Sequence, residues 1–270
     1  MSQIITELTG VSRTMILTLR GRADEQLHPH PLFQDPLAVE WSKLLPWDNG
    51  LEAIYRKSKL TQTSFAVRAY HHDQIASRHI ANHSNSVVVE LGAGLSTRFH
   101  RIGENTYRWL ELDLPAVTEL RHKLDTQTQQ HRFISASVMD FDWMNAVPDV
   151  APENILFIAE GLLPYFERNE VQHLVSQMRS RFSGALLVMD ILGNCGKLAS
   201  KDFSQIQAPH KWYAKNEQEV TAMGLHLVNV SCLYQLYPEH WHWQLRLPLK
   251  LLTHLSYFRN GYLILETKII

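Results

Sequence analysis

The sequence predicts an α/β protein with a seven-stranded, mostly parallel sheet, an antiparallel strand at the C-terminal end and an N-terminal helical cap. Three observations point there. From about residue 86 onward, short β-branched or aromatic runs alternate with amphipathic stretches, the pattern of βαβ units. The first of those runs, SVVVEL at 86–91, breaks at once into Gly92-Ala93-Gly94, a strand-to-helix turn. The residues before position 80 carry helical spacing instead.

In chain order, VSRTMILTLRGRA reads as a helix and HPHPLFQDPLA as a proline-punctuated link. A long stretch through Phe65, Val67, Tyr70 and Ile75 then completes the cap, residues 1–80. The core, residues 81–270, has seven strand candidates: Ser86–Leu91, Tyr107–Leu112, Arg132–Ala136, Asn154–Ala159, Ala185–Ile191, Leu225–Leu233 and Tyr262–Lys268. Between the fourth and fifth, Val171, Leu174, Val175 and Met178 recur at helical spacing and predict an exposed crossover helix. After the fifth strand, an insertion at about 192–216 contains glycines, a proline and the pair Trp212-Tyr213, and reads as a mobile lid with aromatic anchors. The chain stops on a strand, which suits an antiparallel hairpin at one sheet edge.

Composition narrows the function. With 45% hydrophobic and 20% charged residues and a formal charge of −1, the chain has no electrostatic footprint for nucleic acid or an anionic membrane, so a small-molecule partner is expected. Cys195 and Cys232 lack zinc or CxxC spacing and read as reduced thiols. No signal peptide or membrane span is apparent, and a cytoplasmic protein is expected. Fifteen histidines, among them His28, His30, His71 and His72, invite a metal reading. Adjacent histidines on one segment converge poorly on one ion, and no HExxH is present, so no metal is predicted.

The Gly92-Ala93-Gly94 turn lets backbone approach a ligand closely. A dinucleotide fingerprint would place a third glycine where Thr97 stands. The next strand ends in Glu111-Leu112-Asp113, an acid suited to the ribose hydroxyls of either NAD or S-adenosylmethionine (SAM). Glu90, at the end of the first strand, separates the two. A pyrophosphate tolerates a nearby acid poorly, whereas a sulfonium ligand with an α-ammonium group welcomes one, its carboxylate needing a cation such as Arg68.

The segments VSRTMILTLRGRA, HPLFQDPLA, FAVRAYHHDQI, VVVELGAGLSTR, YRWLELDLPAV, SASVMDFDWM and FIAEGLLPYF together resemble the SAM-dependent O-methyltransferase family that contains leucine carboxyl methyltransferase and the tetracenomycin-type polyketide O-methyltransferases. The resemblance implies a Rossmann-like SAM-methyltransferase fold, with SAM as cofactor and S-adenosylhomocysteine as product. It places Arg68 on the cofactor carboxylate, Gly92 and Gly94 beneath its methionine portion, and Asp113 on the ribose. Ser137 and Val138 fall at the adenine, where relatives often carry Asp-Leu. Glu160 becomes an acid facing the cofactor, and Tyr165 a tyrosine near the point of transfer that orients the acceptor. A further cation on the cofactor carboxylate corresponds to Arg20 or Arg22.

The implied reaction is methyl transfer to a carboxylate or to a phenolic or enolic hydroxyl of a small, polyketide-like molecule. A carboxylate needs no base near pH 7, whereas a phenol does. His71, His72, His210 and His240 are bases by chemistry alone, and the sequence brings none of them to the methyl group. The competing readings are a catalytically silent SAM-binding protein and, with less support, an NAD-dependent oxidoreductase.

Overall fold

The computed structural model describes residues 8–45, 47–197 and 203–270. Four helices open the chain: α1 (Val11–Glu25), α2 (Pro36–Leu44), α3 (Asn49–Arg56) and α4 (Lys59–Asn82). Their starts follow from local chemistry. Asp35 caps α2 by accepting from the Ala38 amide, with Pro36 at the first helical position, and Ser58 caps α4 through the Thr61 amide.

The strands are β1 (Val87–Leu91), β2 (Arg108–Asp113), β3 (His131–Ser135), β4 (Ile155–Ala159), β5 (Leu186–Leu192), β6 (Leu225–Cys232) and β7 (Tyr262–Ile269). Each coincides with an expected strand to within a residue or two at its ends. Between them lie α5 (Arg98–Ile102), α6 (Pro115–Leu124), the crossover helix α7 (Arg168–Phe182), α8 (Glu217–Thr221), α9 (Trp243–Leu252) and α10 (Ser256–Arg259). The α7 start carries a reciprocal capping box between Glu167 and Glu170.

The sheet order is β3-β2-β1-β4-β5-β7-β6. All neighbours run parallel except β7, which pairs antiparallel with both β5 and β6. The chain winds outward from β1 to β3 and then returns to begin again at β4. Strand order therefore reverses between β1 and β4, which opens a crevice at their C-terminal ends.

Alternation within the central strands divides the core. Val87, Val89, Leu110, Phe157 and Met189 face α7 and its neighbours, while Val88, Trp109, Leu156, Ile158 and Val188 face the other way. That second face is covered by Val67, Ile75 and Ala76 of α4. Helix α4 thus serves the cap with Phe65 and the sheet with the turns that follow, so a boundary near residue 80 falls at the end of a helix both parts share. The insertion behaves alike: Ile206 and Ala208 pack into the cap, Trp212 and Ala214 into the sheet core. Its residues 198–202 lie outside the described ones. Among the described residues, no helix is long and apolar enough to cross a membrane.

Thr97, at the position where a third glycine would stand, is wholly buried. Its hydroxyl donates to Asp35 Oδ2 at 2.6 Å, tying the turn after β1 to the cap of α2. Arg22 and Arg101 donate to the same oxygen at 3.2 and 2.8 Å. Burial alone would push the Asp35 carboxyl up, yet the two guanidiniums and Thr97 hold it below its ordinary value. Thr97→Val keeps the shape and removes the donor to this buried carboxylate. It should lower unfolding stability by about 1.5–3 kcal/mol, read as a shifted denaturant midpoint at unchanged slope. A midpoint equal to wild type would show that the hydroxyl is dispensable.

Candidate active site

The turn after β1 is fastened to the end of β2. The Gly92 and Ala93 amides both donate to the Leu112 carbonyl, at 2.8 and 3.1 Å. Gly92 and Gly94 take φ of 66° and 56°, backbone that side chains rarely adopt. A Cβ on Gly92 would fall 2.6 Å from Leu162 Cδ1, and one on Gly94 would fall 3.1 Å from Met15 Cβ. The Gly94 amide donates to Asp113 Oδ2 at 2.6 Å and the Leu114 amide to Oδ1 at 2.7 Å. Each Asp113 oxygen is thereby oriented by one backbone N–H and keeps a lone pair for a ligand. Burial pushes the Asp113 carboxyl up to about 6, against the pull of those two amides.

The crevice holds a cavity of about 290 Å³. Nine residues given a role in the sequence reading line it: Arg68, Glu90, Gly92, Gly94, Asp113, Ser137, Val138, Glu160 and Tyr165. The roof is α1, through Thr14, Met15 and Thr18. Ser137 accepts from the Met139 amide at 3.2 Å, so its hydroxyl is held in the turn after β3. Arg22 lines the cavity and donates to the Leu95 carbonyl at 2.5 Å. Arg20 instead pairs with Asp24 and lies over the Trp47 ring. Of the two arginines, Arg22 is the one brought to the site.

An ion-pair network forms the floor. Glu160 accepts from Arg68 Nε at 2.8 Å with one oxygen and from Arg98 with the other. Arg98 also donates to Asp73 at 2.7 Å and to Glu90. The Arg101 guanidinium joins Asp73 to Asp35, and Arg68 donates to the Tyr262 hydroxyl at 2.7 Å beside Asp190. Burial opposes the charge on Glu160, but Arg68 and Arg98 hold its carboxyl well below the usual range. Glu90 differs. Both its oxygens are engaged, by Arg98 and by Ser96 Oγ and Trp109 Nε1 at 3.1 Å each, and burial still pushes it up.

Arg98, Asp73 and Asp35 received no role in the sequence reading. Arg98 stands four residues past Gly94, on the helix that the glycine turn starts. That position was the only signal for it.

A second chamber of about 110 Å³ shares Thr14, Thr18, Arg68, Gly161 and Tyr165 with the first. Phe65, Phe203, Tyr234 and Tyr262 give it aromatic walls, and the insertion adds Leu192, Gly196 and His210. Of the four histidines considered as bases, only His210 lines either chamber. His72 is buried on the Arg68 carbonyl, His71 faces the Tyr237 hydroxyl at 3.3 Å, and His240 pairs with Glu25 at 2.9 Å. Tyr165 lies between the chambers. Burial, partly offset by Thr14, pushes its phenol up to about 12, so it stays protonated at neutral pH. Outside both chambers, His100, Asp125 and His131 bring potential ligand atoms within 4.8 Å of one another, with Arg121 donating to Asp125.

The model of the leucine carboxyl methyltransferase family matches residues 15–179. The chain belongs to the leucine carboxyl methyltransferase family. It is 33% identical over 187 residues to the tetracenomycin polyketide synthesis O-methyltransferase TcmP of Streptomyces glaucescens, covering 68% of this chain and 67% of that one. It is 26% identical over 190 residues to the SAM-dependent methyltransferase dpfgK of Gibberella zeae, covering 65% of this chain and 62% of that one. Among solved structures, a candidate methyltransferase of Thermobifida fusca superimposes with a TM-score of 0.60 at 17% identity, over 99% of this chain and 97% of that one. A DUF574 family protein of Streptomyces avermitilis reaches the same TM-score at 12% identity, covering 99% and 100%.

As a member of that family the chain is a SAM-dependent methyltransferase, and its own residues fit the cofactor. The oriented Asp113 carboxylate can take two hydroxyls. The glycine turn brings bare backbone to the cavity wall, and the lining carries both guanidiniums and carboxylates for a zwitterion.

Arg98→Leu leaves buried Asp73 and Glu90 and half-buried Glu160 without their shared partner. It should cost about 3–5 kcal/mol of stability, read by chemical denaturation, and a loss below about 1 kcal/mol would show the network to be dispensable. The ionised form of Asp113, whose pKa stands above the ordinary value, is the one that offers free lone pairs to ligand hydroxyls. SAM affinity measured by calorimetry should therefore weaken as pH falls through about 6. Asp113→Asn should bind more weakly at neutral pH and lose that pH step; an unaltered step in the variant would assign it to another group.

Proposed function

We propose that the protein transfers a methyl group from SAM to an oxygen of a small, polyketide-like acceptor, a carboxylate or a phenolic or enolic hydroxyl, and releases S-adenosylhomocysteine. The observation that carries this reading is convergence. Nine residues drawn from five separate sequence segments line one cavity at the strand-order reversal, and a relative at 33% identity is a polyketide O-methyltransferase.

The cofactor supplies a methyl group made electrophilic by its sulfonium. The chain's residues bind, align and exclude water, which is most of what such a displacement asks of a protein. Arg68, assisted by Arg22, holds the cofactor carboxylate, and Gly92 and Gly94 admit the methionine portion against backbone. Asp113 takes the ribose hydroxyls, and Ser137 with Val138 borders the adenine. Glu160 faces the ammonium group, and both it and Glu90, their oxygens engaged by protein donors, act through their negative field. Tyr165, protonated and placed between the chambers, orients the acceptor. The unpaired thiols Cys195 and Cys232 accord with a reducing, cytoplasmic setting.

The test is calorimetric titration with SAM and, separately, with NAD, for the wild type and for Arg68→Ala and Asp113→Ala. Micromolar SAM binding that both substitutions weaken at least 100-fold, with no NAD binding, is the expected result. NAD binding in place of SAM would replace this reading with a redox one.

A further inference from the structure

We propose that Tyr262, at the start of β7, is a positioning residue for the cofactor carboxylate: its hydroxyl fixes the Arg68 guanidinium and keeps Asp190 from claiming the donors that the ligand needs. This rests on the methyltransfer reading above and deepens it with a residue beyond the stretch 15–179 that the family model matches.

An arginine carries five N–H donors in one rigid plane. Arg68 Nε donates to Glu160 Oε1 at 2.8 Å, and Nη1 donates to the Tyr262 hydroxyl at 2.7 Å. Nη2 has no hydrogen-bond partner among the described residues, although the side chain borders both chambers. Two of the three nitrogens are thus held by the protein, and the third is left for a ligand. Gly161 backs the arrangement. Its φ is 65°, and a Cβ there would fall 3.0 Å from Nη1 and 3.1 Å from Nη2, so the guanidinium lies against bare backbone.

Asp190 shows what the hydroxyl prevents. This carboxylate is wholly buried on β5, with Oδ1 on the Gly161 amide at 2.6 Å and Oδ2 on the Tyr262 hydroxyl. Oδ2 lies 3.8 Å from Arg68 Nη1, short of a direct hydrogen bond. Direct pairing would spend a further donor and set Asp190 beside Glu160 on the same cation, whose field on an incoming anion would then be cancelled. A phenol between the two avoids this, because it accepts from the cation, donates to the anion and is itself neutral. Burial, with Asp190 beside it and against the pull of Arg68, pushes that phenol well above its usual value, so it stays a hydroxyl.

The backbone sets where the hydroxyl stands. In the antiparallel ladder Tyr262 pairs with Leu192 and Ile264 with Asp190, which places Tyr262 and Asp190 diagonally on one face of the sheet. Just before Tyr262, the Gly261 carbonyl accepts from the Gly193 amide at 3.0 Å, and a Cβ on Gly261 would fall 2.1 Å from Cys195 Sγ. The strand therefore enters the site at a seat the insertion leaves no room to shift.

The experiment titrates the full chain by calorimetry with two ligands. S-adenosylhomocysteine carries the carboxylate; 5′-methylthioadenosine keeps the adenine, ribose and thioether and has no amino-acid portion. Tyr262→Phe keeps the ring and removes the hydroxyl. The expected result is a loss of about tenfold in S-adenosylhomocysteine affinity, with 5′-methylthioadenosine affinity within about twofold of wild type. An equal loss for both ligands would make the role a structural one, and an unchanged S-adenosylhomocysteine affinity would show the hydroxyl to be idle; either overturns the proposal. Should Tyr262→Phe not fold, 3-fluorotyrosine at this position keeps the hydroxyl and gives a fluorine NMR signal. That signal should move with S-adenosylhomocysteine and stay in place with 5′-methylthioadenosine, and equal movement with both, or none with either, overturns the proposal as well. If the wild type does not bind S-adenosylhomocysteine at all, the methyltransfer reading itself fails and this one falls with it.

Discussion

One guanidinium holds the site together. Arg98, 2% exposed, donates to Glu90 at the end of β1, to Asp73 on α4 and to Glu160 just past β4. Each carboxylate stands on a different element, so the pairing fixes the separation of the strands that border the crevice and the seat of the helix that covers them. Buried ion pairs of this kind gain little net stability over apolar packing, because desolvation consumes most of the attraction. Their value lies in geometry. A carboxylate that must face a ligand cannot relax into water when every neighbouring donor already claims it.

Asp35 extends the same logic to the cap. It caps the start of α2 and accepts from Arg22 on α1, Thr97 after the glycine turn, and Arg101 on α5. Through it the roof of the cavity is joined to its floor by charge-assisted bonds as well as by packing. A glycine in place of Thr97 would remove this joint. The departure from the dinucleotide pattern is therefore a structural commitment as well as a difference in ligand.

The strands were legible because β-branched runs flanked by turn residues have few alternatives, and the glycine turn because its spacing follows from backbone conformation alone. The nine lining residues were legible through family motifs, each within a contiguous segment. What stayed hidden is non-local. Arg98 reaches Glu160 across 62 positions, and Arg22 reaches the Leu95 carbonyl across 73. An arginine's sequence neighbours say nothing about which distant carboxylate it will meet. Likewise His210 was one of four chemically equivalent candidates until the fold carried its insertion to the chamber wall. The double service of α4 was hidden for a related reason: helical periodicity marks an apolar face without naming what covers it.

The charges of the floor then bear on what the cavity prefers. Arg22, Arg68, Arg98 and Arg101 are interleaved with Asp35, Asp73, Glu90, Glu160 and Asp190, which leaves one carboxylate in excess within a desolvated network. Burial and the neighbouring acids push Glu90 up, the behaviour expected where that surplus falls. A ligand with one net positive charge, as SAM carries at neutral pH, relieves the surplus; a pyrophosphate would aggravate the repulsion. Demethylation removes that charge, so the network attracts the product less than the cofactor.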